Sequence, residues 1–138
     1  MHPQFTKMTI LVVDDYANIR SMVCSHLRQL KHEGTVLNAE NVDEAIALME
    51  KSFNTGKPID LIISDWNMPG KSGLDYLLWI RDHSKYKNIP FLLLTTVNEM
   101  DKVIKAVSHG VSNYLIKPWT LADLKKKIES SLEKHLNN

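Results

Sequence analysis

The sequence predicts an α/β fold: a doubly wound, parallel sheet of five strands with helices on both faces. Short, unbroken apolar runs recur along the chain, as is typical of strands that are covered on both faces. Stretches with apolar residues at helical spacing lie between these runs, and short loops join them, which favours right-handed crossovers. At 138 residues, the chain has the length of one such domain.

The predicted central strand covers residues 60–65 and ends in a carboxylate. Residues 61–63 are Leu-Ile-Ile, and Asp65 follows shortly before a Pro-Gly pair turns the chain. Ligands of open α/β sheets bind at the carboxyl ends of the strands, where the connecting loops diverge. Asp65 is therefore a candidate site residue, and capping of the turn is the alternative role. The other predicted strands are residues 8–13, 35–39, 89–94 and 112–116.

Helix boundaries are predicted from capping pairs and glycines. Three helices begin with a residue that can accept a backbone hydrogen bond and an acid three positions later. These pairs are Asn41–Glu44, Asn98–Asp101 and Thr120–Asp123. Gly34 and Gly110 are the predicted stop signals of the first and fourth helices. The third helix is predicted over residues 72–83.

Composition excludes several classes of protein. The formal charge is +1 and the pI is near 7.9, so no basic field favours nucleic-acid binding. No apolar run approaches the length of a membrane span, so membrane insertion is not expected. The lone Cys24 cannot form an internal disulfide, which suits a reducing compartment. We expect one cytoplasmic domain over residues 1–138, without a further output domain.

Four of the predicted strands end in groups that carry chemistry. These groups are Asp14 and Asp15, Asp65, Thr95, and Lys117. The carboxyl ends of parallel strands share one edge, so the side chains should converge there. Three carboxylates at one place repel one another unless a cation neutralises them, and oxygen ligands at a hydrated site suit Mg²⁺. A lysine and a hydroxyl beside them suit phosphoryl transfer, with Asp65 forming an acyl phosphate.

Several motifs together resemble the receiver domain of two-component response regulators. They are Val-Val-Asp14-Asp15, Ser-Asp65-Trp-Asn-Met-Pro-Gly, Leu-Leu-Thr95-Thr and Tyr114-Leu-Ile-Lys117-Pro118. Their order and spacing are more specific than any single motif, and the resemblance covers nearly the whole chain. It implies a flavodoxin-like (βα)5 fold with strand order 2-1-3-4-5. The segment after Asp65 is most similar to the single-domain chemotaxis regulators of the CheY type.

The resemblance also implies a role for each acid. Asp65 would be the phosphoacceptor, and Asp15 and Asp65 would bind Mg²⁺ directly. The backbone carbonyl of Asn67 would complete the protein ligands, whereas Asp14 would act mainly through metal-bound water. A histidine kinase would donate the phosphoryl group. A phosphatase is a further candidate partner, and the protein would be a switch that catalyses only its own phosphotransfer and dephosphorylation.

Thr95 and Lys117 would bind the phosphoryl oxygens, and the Lys117-Pro118 bond would be cis. Thr95 and Tyr114 would act as switch residues that alter the fourth helix, fifth strand and fifth helix, roughly residues 98–127. A downstream target protein would bind that face. Thr96 departs from the family, which usually has a smaller residue there, so access to the phosphoryl group should be narrower.

Other functions are consistent with parts of the pattern. An aspartate-nucleophile phosphatase would also use Mg²⁺ and an acyl phosphate, but it needs an Asp-x-Asp motif after the first strand. Asp14-Asp15-Tyr16 lacks the second acid at that spacing. A flavodoxin-like redox carrier would need a hydroxyl-rich phosphate loop where the two acids stand. A receiver domain cut from a larger response regulator would look the same as a single-domain regulator.

Overall fold

A parallel five-stranded sheet forms the centre of the molecule. The computed structural model describes residues 2–136, apart from the side chain of Leu136. The strands are β1 (Ile10–Val13), β2 (Val36–Ala39), β3 (Leu61–Asp65), β4 (Phe91–Thr96) and β5 (Asn113–Lys117). All pair in parallel, in the order β2-β1-β3-β4-β5. The predicted fold class and strand order are confirmed.

Five helices connect and cover the strands. They are α1 (Ala17–Gln29), α2 (Val42–Asn54), α3 (Gly73–Asp82), α4 (Met100–Ser108) and α5 (Leu121–Leu136). Short 3-10 turns at Phe5–Lys7 and Val97–Glu99 precede β1 and α4. Within residues 2–136, none of the helices combines the length and apolar character needed to cross a membrane.

The sheet separates two apolar cores. Alternate residues of a strand point to opposite faces, so Ile62 packs in one core and Ile63 in the other. The core with Ile62 contains buried residues of α2, α3 and α4, whereas the core with Ile63 contains those of α1 and α5. Every residue of β3 is buried, which explains its unbroken apolar run. The carboxyl end of β3 is therefore held rigidly by the packed cores on both faces of the sheet.

Two of the three predicted capping pairs are present. The side chain of Asn41 accepts from the backbone N–H of Glu44 at 2.8 Å. Thr120 and Asp123 bond each other's backbone at 3.1 and 3.2 Å. The predicted pair Asn98–Asp101 is wrong, because Thr96 and Glu99 form the capping box of the 3-10 turn before α4. The third helix also has a capping box, in which Ser72 and Asp75 bond each other's backbone.

The two predicted stop glycines have different outcomes. Gly110 lies just beyond α4 with φ of 92°, which confirms its role. Gly34 does not end the first helix: α1 ends at Gln29, and Lys31 has the left-handed backbone, with φ of 72°. A Cβ on Gly34 would lie 2.3 Å from the carbonyl oxygen of Met8. Gly34 is therefore required for close approach of two backbone segments.

Candidate functional site

Three carboxylates meet at the carboxyl edge of the sheet. Asp14 and Asp15 directly follow β1, and Asp65 ends β3. One oxygen of each lies within 4.8 Å of the others. Asp14 is fully buried and Asp65 is 5% exposed, whereas Asp15 is partly exposed. The predicted convergence of these acids is thus present in the structure.

Lys117, at the end of β5, supplies a positive charge inside this cluster. Its Nζ lies 3.0 Å from Asp65 Oδ1 and 3.2 Å from Asp14 Oδ2. Burial alone would lower the pKa of Lys117, but the hydrogen bond and charge of Asp65 and the nearby Asp14 outweigh it and raise the pKa. The ammonium group therefore stays charged at neutral pH. The peptide bond from Lys117 to Pro118 is cis, as expected from the resemblance.

Burial raises the pKa of Asp65 from its ordinary value of 3.8 to about 6. The hydrogen bond from Lys117 opposes this effect, and the charge of Asp14 adds to it. Above pH 6 the carboxyl group is mostly ionised, as a nucleophile must be. Its charge is nevertheless costly, because the carboxylate is buried and lies beside the charge of Asp14.

Asp15 shows that the site suits a cation. Its Oδ1 is buried and has no hydrogen-bond partner among the described residues. An unpaired buried carboxylate oxygen is costly unless a ligand satisfies it. Asp15 and the two neighbouring carboxylates, Asp14 and Asp65, form a donor set that fits a hard divalent ion. The acidic cluster could therefore hold a metal ion.

An open cleft of about 450 Å³ leads to the acids. Its lining includes Asp15, Asp65, Asn67, Thr96 and Lys117. The side chain of Asn67 bonds two residues beyond β4: its Oδ1 accepts from Lys102 Nζ at 3.1 Å, and its amide group donates to Glu99. The role of its backbone carbonyl as a metal ligand stays a prediction.

Gly73 fixes the chain next to Asp65, and sequence reasoning did not identify it. Its backbone N–H donates to the carbonyl of Trp66 at 2.8 Å. A Cβ at this position would lie 2.4 Å from the backbone oxygen of Asp65. Only glycine allows α3 to begin so close to the end of β3. Gly70, with φ of 82°, makes the turn between them.

The two predicted switch residues lie on adjacent strands. Thr95 is fully buried and pairs with Ile116, while Tyr114 pairs with Leu93. The Tyr114 ring is partly exposed, and Lys127 Nζ lies 4.7 Å from its centre. Thr95 and Tyr114 are therefore near neighbours across β4 and β5, and their switching stays a prediction.

Glu99 is a residue of the site region that the sequence reasoning missed. It lines the cleft with Asp65 and Lys117 and accepts hydrogen bonds from the end of β4, from α4 and from the loop after β3. Its Oε1 lies 2.9 Å from the Thr96 hydroxyl. The spacing Thr96-x-x-Glu99 is a capping-box pattern, so the sequence carried a signal for the local contact.

Comparison with known proteins identifies the family. The model of the response regulator receiver domain matches residues 10–129. Chemotaxis protein CheY-3 of Vibrio cholerae is 35% identical over 127 residues, which are 92% of this chain and 93% of that protein. Chemotaxis protein CheY of Pseudomonas aeruginosa is 37% identical over 127 residues, which are 92% of this chain and 98% of that protein. The structure of chemotaxis response regulator CheY4 of Vibrio cholerae is also similar, with a TM-score of 0.77 and 32% identity over 92% of this chain and all of that one. The chain belongs to the response regulator receiver domain family.

Proposed function

We propose that this protein is a phosphorylation-activated switch of chemotaxis signalling, acting as one receiver domain with Asp65 as the phosphoacceptor. The observation that carries the proposal is the position of Asp65. Its carboxylate is buried at the end of β3, 3.0 Å from the Lys117 ammonium and beside Asp14 and Asp15. The chemotaxis assignment is supported by the names of the similar proteins, which cover almost the same length of chain.

The chemistry is transfer of a phosphoryl group from a histidine kinase. A carboxylate oxygen of Asp65 attacks phosphorus, the new O–P bond forms, and the N–P bond to the kinase histidine breaks. Lys117 is close enough to stay paired with Asp65 and to donate to phosphoryl oxygens. The protein is then a switch that catalyses only its own phosphotransfer and dephosphorylation.

Mg²⁺ is the proposed metal ion, and it would neutralise charge on the phosphoryl oxygens when bound. Asp15 and Asp65 would hold it directly, together with the backbone carbonyl of Asn67. Both carboxylate oxygens of Asp14 already have partners. Oδ2 lies 3.2 Å from Lys117 Nζ, and Oδ1 accepts from the backbone N–H of Tyr16 at 2.9 Å. These contacts favour an indirect role for Asp14, through metal-bound water.

The proposed output face is formed by α4, β5 and α5. Ile104 and Val107 of α4 are 70% and 59% exposed, so an apolar centre is available to a target protein. Lys126, on α5, is exposed and could form part of a charged rim. Thr95 would turn toward the phosphoryl oxygens, and Tyr114 would move into the space that it leaves. Such a change couples a small buried group to a large surface.

Beryllofluoride, a phosphoryl mimic, provides the test in the presence of Mg²⁺. Amide chemical shifts are compared in the parent, Thr95→Ala and Tyr114→Ala proteins. We expect shifts at α4, β5 and α5 in the parent, and much smaller shifts there in the two variants although beryllofluoride still binds. Equal changes in all three proteins would rule out the Thr95–Tyr114 route. Changes confined to α1 would indicate a different output face.

A further inference from the structure

The carboxylate of Glu99 joins the loops that follow β3 and β4. Its Oε1 accepts from the Thr96 backbone N–H at 3.2 Å and from the Thr96 hydroxyl at 2.9 Å, and lies 3.5 Å from the hydroxyl oxygen of Thr95. Its Oε2 accepts from Lys102 Nζ at 3.0 Å and from the side-chain amide of Asn67. We call these five residues the Glu99 clasp.

The clasp keeps a negative charge at the edge of the acidic cleft. The Glu99 side chain is 11% exposed, and this burial alone would raise its pKa. Hydrogen bonds from Lys102 and Thr96 outweigh the burial and hold the pKa below its ordinary value. Glu99 is therefore ionised at neutral pH. It lines the same cleft as Asp65 and Lys117.

A phosphoryl group on Asp65 would compete with Glu99 for the same donor. A threonine hydroxyl has one hydrogen to donate, and the acceptor of the Thr95 hydroxyl in this structure is Glu99 Oε1, at the long distance of 3.5 Å. Thr95 can bond a phosphoryl oxygen only after it releases this carboxylate. The arriving phosphoryl group is also negative, so it repels Glu99.

We propose that Glu99 is a positioning residue for phosphotransfer: it holds Thr95 and Thr96 in the unphosphorylated arrangement and has to be displaced when Asp65 is phosphorylated. This inference rests on the function proposed for Asp65. Glu99 is the last residue of the 3-10 turn that leads into α4. Its displacement therefore acts directly on the start of the helix that carries the exposed Ile104 and Val107.

Beryllofluoride affinity in the presence of Mg²⁺ tests the clasp. Glu99→Gln keeps the shape of the side chain and removes the charge. We expect its half-saturating beryllofluoride concentration to fall about fivefold or more relative to the parent. Loss of a purely structural contact would instead lower the melting temperature and leave the affinity equal or weaker. Glu99→Asp keeps the charge but is one methylene shorter, so it loses the contacts and should also bind more tightly.

Asp101→Asn is the matched control. Asp101 lies exposed in the first turn of α4, so this change removes the same charge without touching the clasp, and the affinity should stay as in the parent. An equal gain in Asp101→Asn would overturn the positioning role in favour of a general charge effect. Equal affinities in the parent and both Glu99 variants would refute the positioning role of Glu99. The function proposed for Asp65 would be unaffected by that result. A parent that does not bind beryllofluoride would instead contradict the proposed function.

Discussion

Replacing Asp15 by asparagine should stabilise the metal-free protein. The three carboxylates lie within 4.8 Å of one another, and two unit charges at that distance repel by about 3.5 kcal/mol at an effective dielectric constant of 20, or about 0.9 kcal/mol at that of water. Asp15 Oδ1 is also buried without a hydrogen-bond partner among the described residues. Loss of its attraction to Lys117 offsets part of the gain. We therefore expect the free energy of unfolding to rise by about 1–3 kcal/mol, or the melting temperature by roughly 3–10 °C.

Mg²⁺ should reduce this difference in stability. An ion that binds only the folded parent stabilises it by about 1.4 kcal/mol at ten times the dissociation constant. Asp15→Asn should bind Mg²⁺ at least about tenfold more weakly, a loss of about 1.4 kcal/mol, so at that Mg²⁺ concentration it should gain at most about 0.4 kcal/mol.

Thermal melts in EDTA and across a Mg²⁺ titration measure both effects. Glu33→Gln, at an exposed loop position, is the control for a general change of charge. If Asp15→Asn melted below the parent without Mg²⁺ and gained as much from the ion, Asp15 would be neither a repulsive group nor a metal ligand.

Three further predictions concern residues around the site and the far end of α5. Lys117→Met leaves the fully buried Asp14 without its cation, so urea unfolding in EDTA should show a loss of about 3 kcal/mol, partly recovered with Mg²⁺; an unchanged stability would contradict the pairing. Gly73→Ala places a methyl group 2.4 Å from the backbone oxygen of Asp65, so it should cost about 2 kcal/mol and slow acetyl phosphate labelling, whereas full activity would show that the loop can move aside. Burial and nearby positive charges lower the pKa of His135, so the folded state resists its protonation and the contribution of His135 to stability should fall as the pH drops below 6.5, opposite in sign to that of Asp65, whose pKa is raised. Compared with the parent, His135→Gln should lose less stability, or gain more, between about pH 7 and 5 in urea titrations, and an identical pH dependence in the two proteins would show that His135 does not contribute.

The strands could be predicted because burial on both faces leaves an unbroken apolar pattern. Their ends were less predictable, since hydrogen bonding to the neighbouring strand decides where each one stops. The fourth strand was predicted to end at residue 94. It continues through Thr95 and Thr96, because these residues still pair with Ile116 and Lys117 of β5. Polar residues at the end of a strand are therefore easily assigned to the loop.

Prediction of the helix boundaries was less accurate where two capping patterns overlap in the sequence. Asn98–Asp101 and Thr96–Glu99 have the same spacing and are two residues apart, and only the second pair forms. The contact of Glu99 with Asn67 favours that choice, and it depends on how the loop after β3 meets the turn after β4. A local pattern cannot contain that information.

The acidic cluster could be predicted because it follows from topology. Parallel strands place their carboxyl ends at one edge, so Asp14, Asp65 and Lys117 were expected at the same edge once the strands were assigned. The distances between these groups and the unpaired oxygen of Asp15 could be determined only from the folded structure. The need for Gly73 also emerged only there, because it depends on the path of the backbone after β3.

Chemical trapping of the phosphorylated residue tests the central claim most directly. The protein is treated with acetyl phosphate and Mg²⁺, reduced with borohydride, which converts an aspartyl phosphate to homoserine, and sequenced by mass spectrometry. We predict homoserine at position 65 in the parent, none without Mg²⁺, and none in Asp65→Asn. Homoserine at Asp14 or Asp15 in the parent, or acid-stable, stoichiometric labelling of Asp65→Asn, would contradict the assignment of Asp65 as the phosphoacceptor.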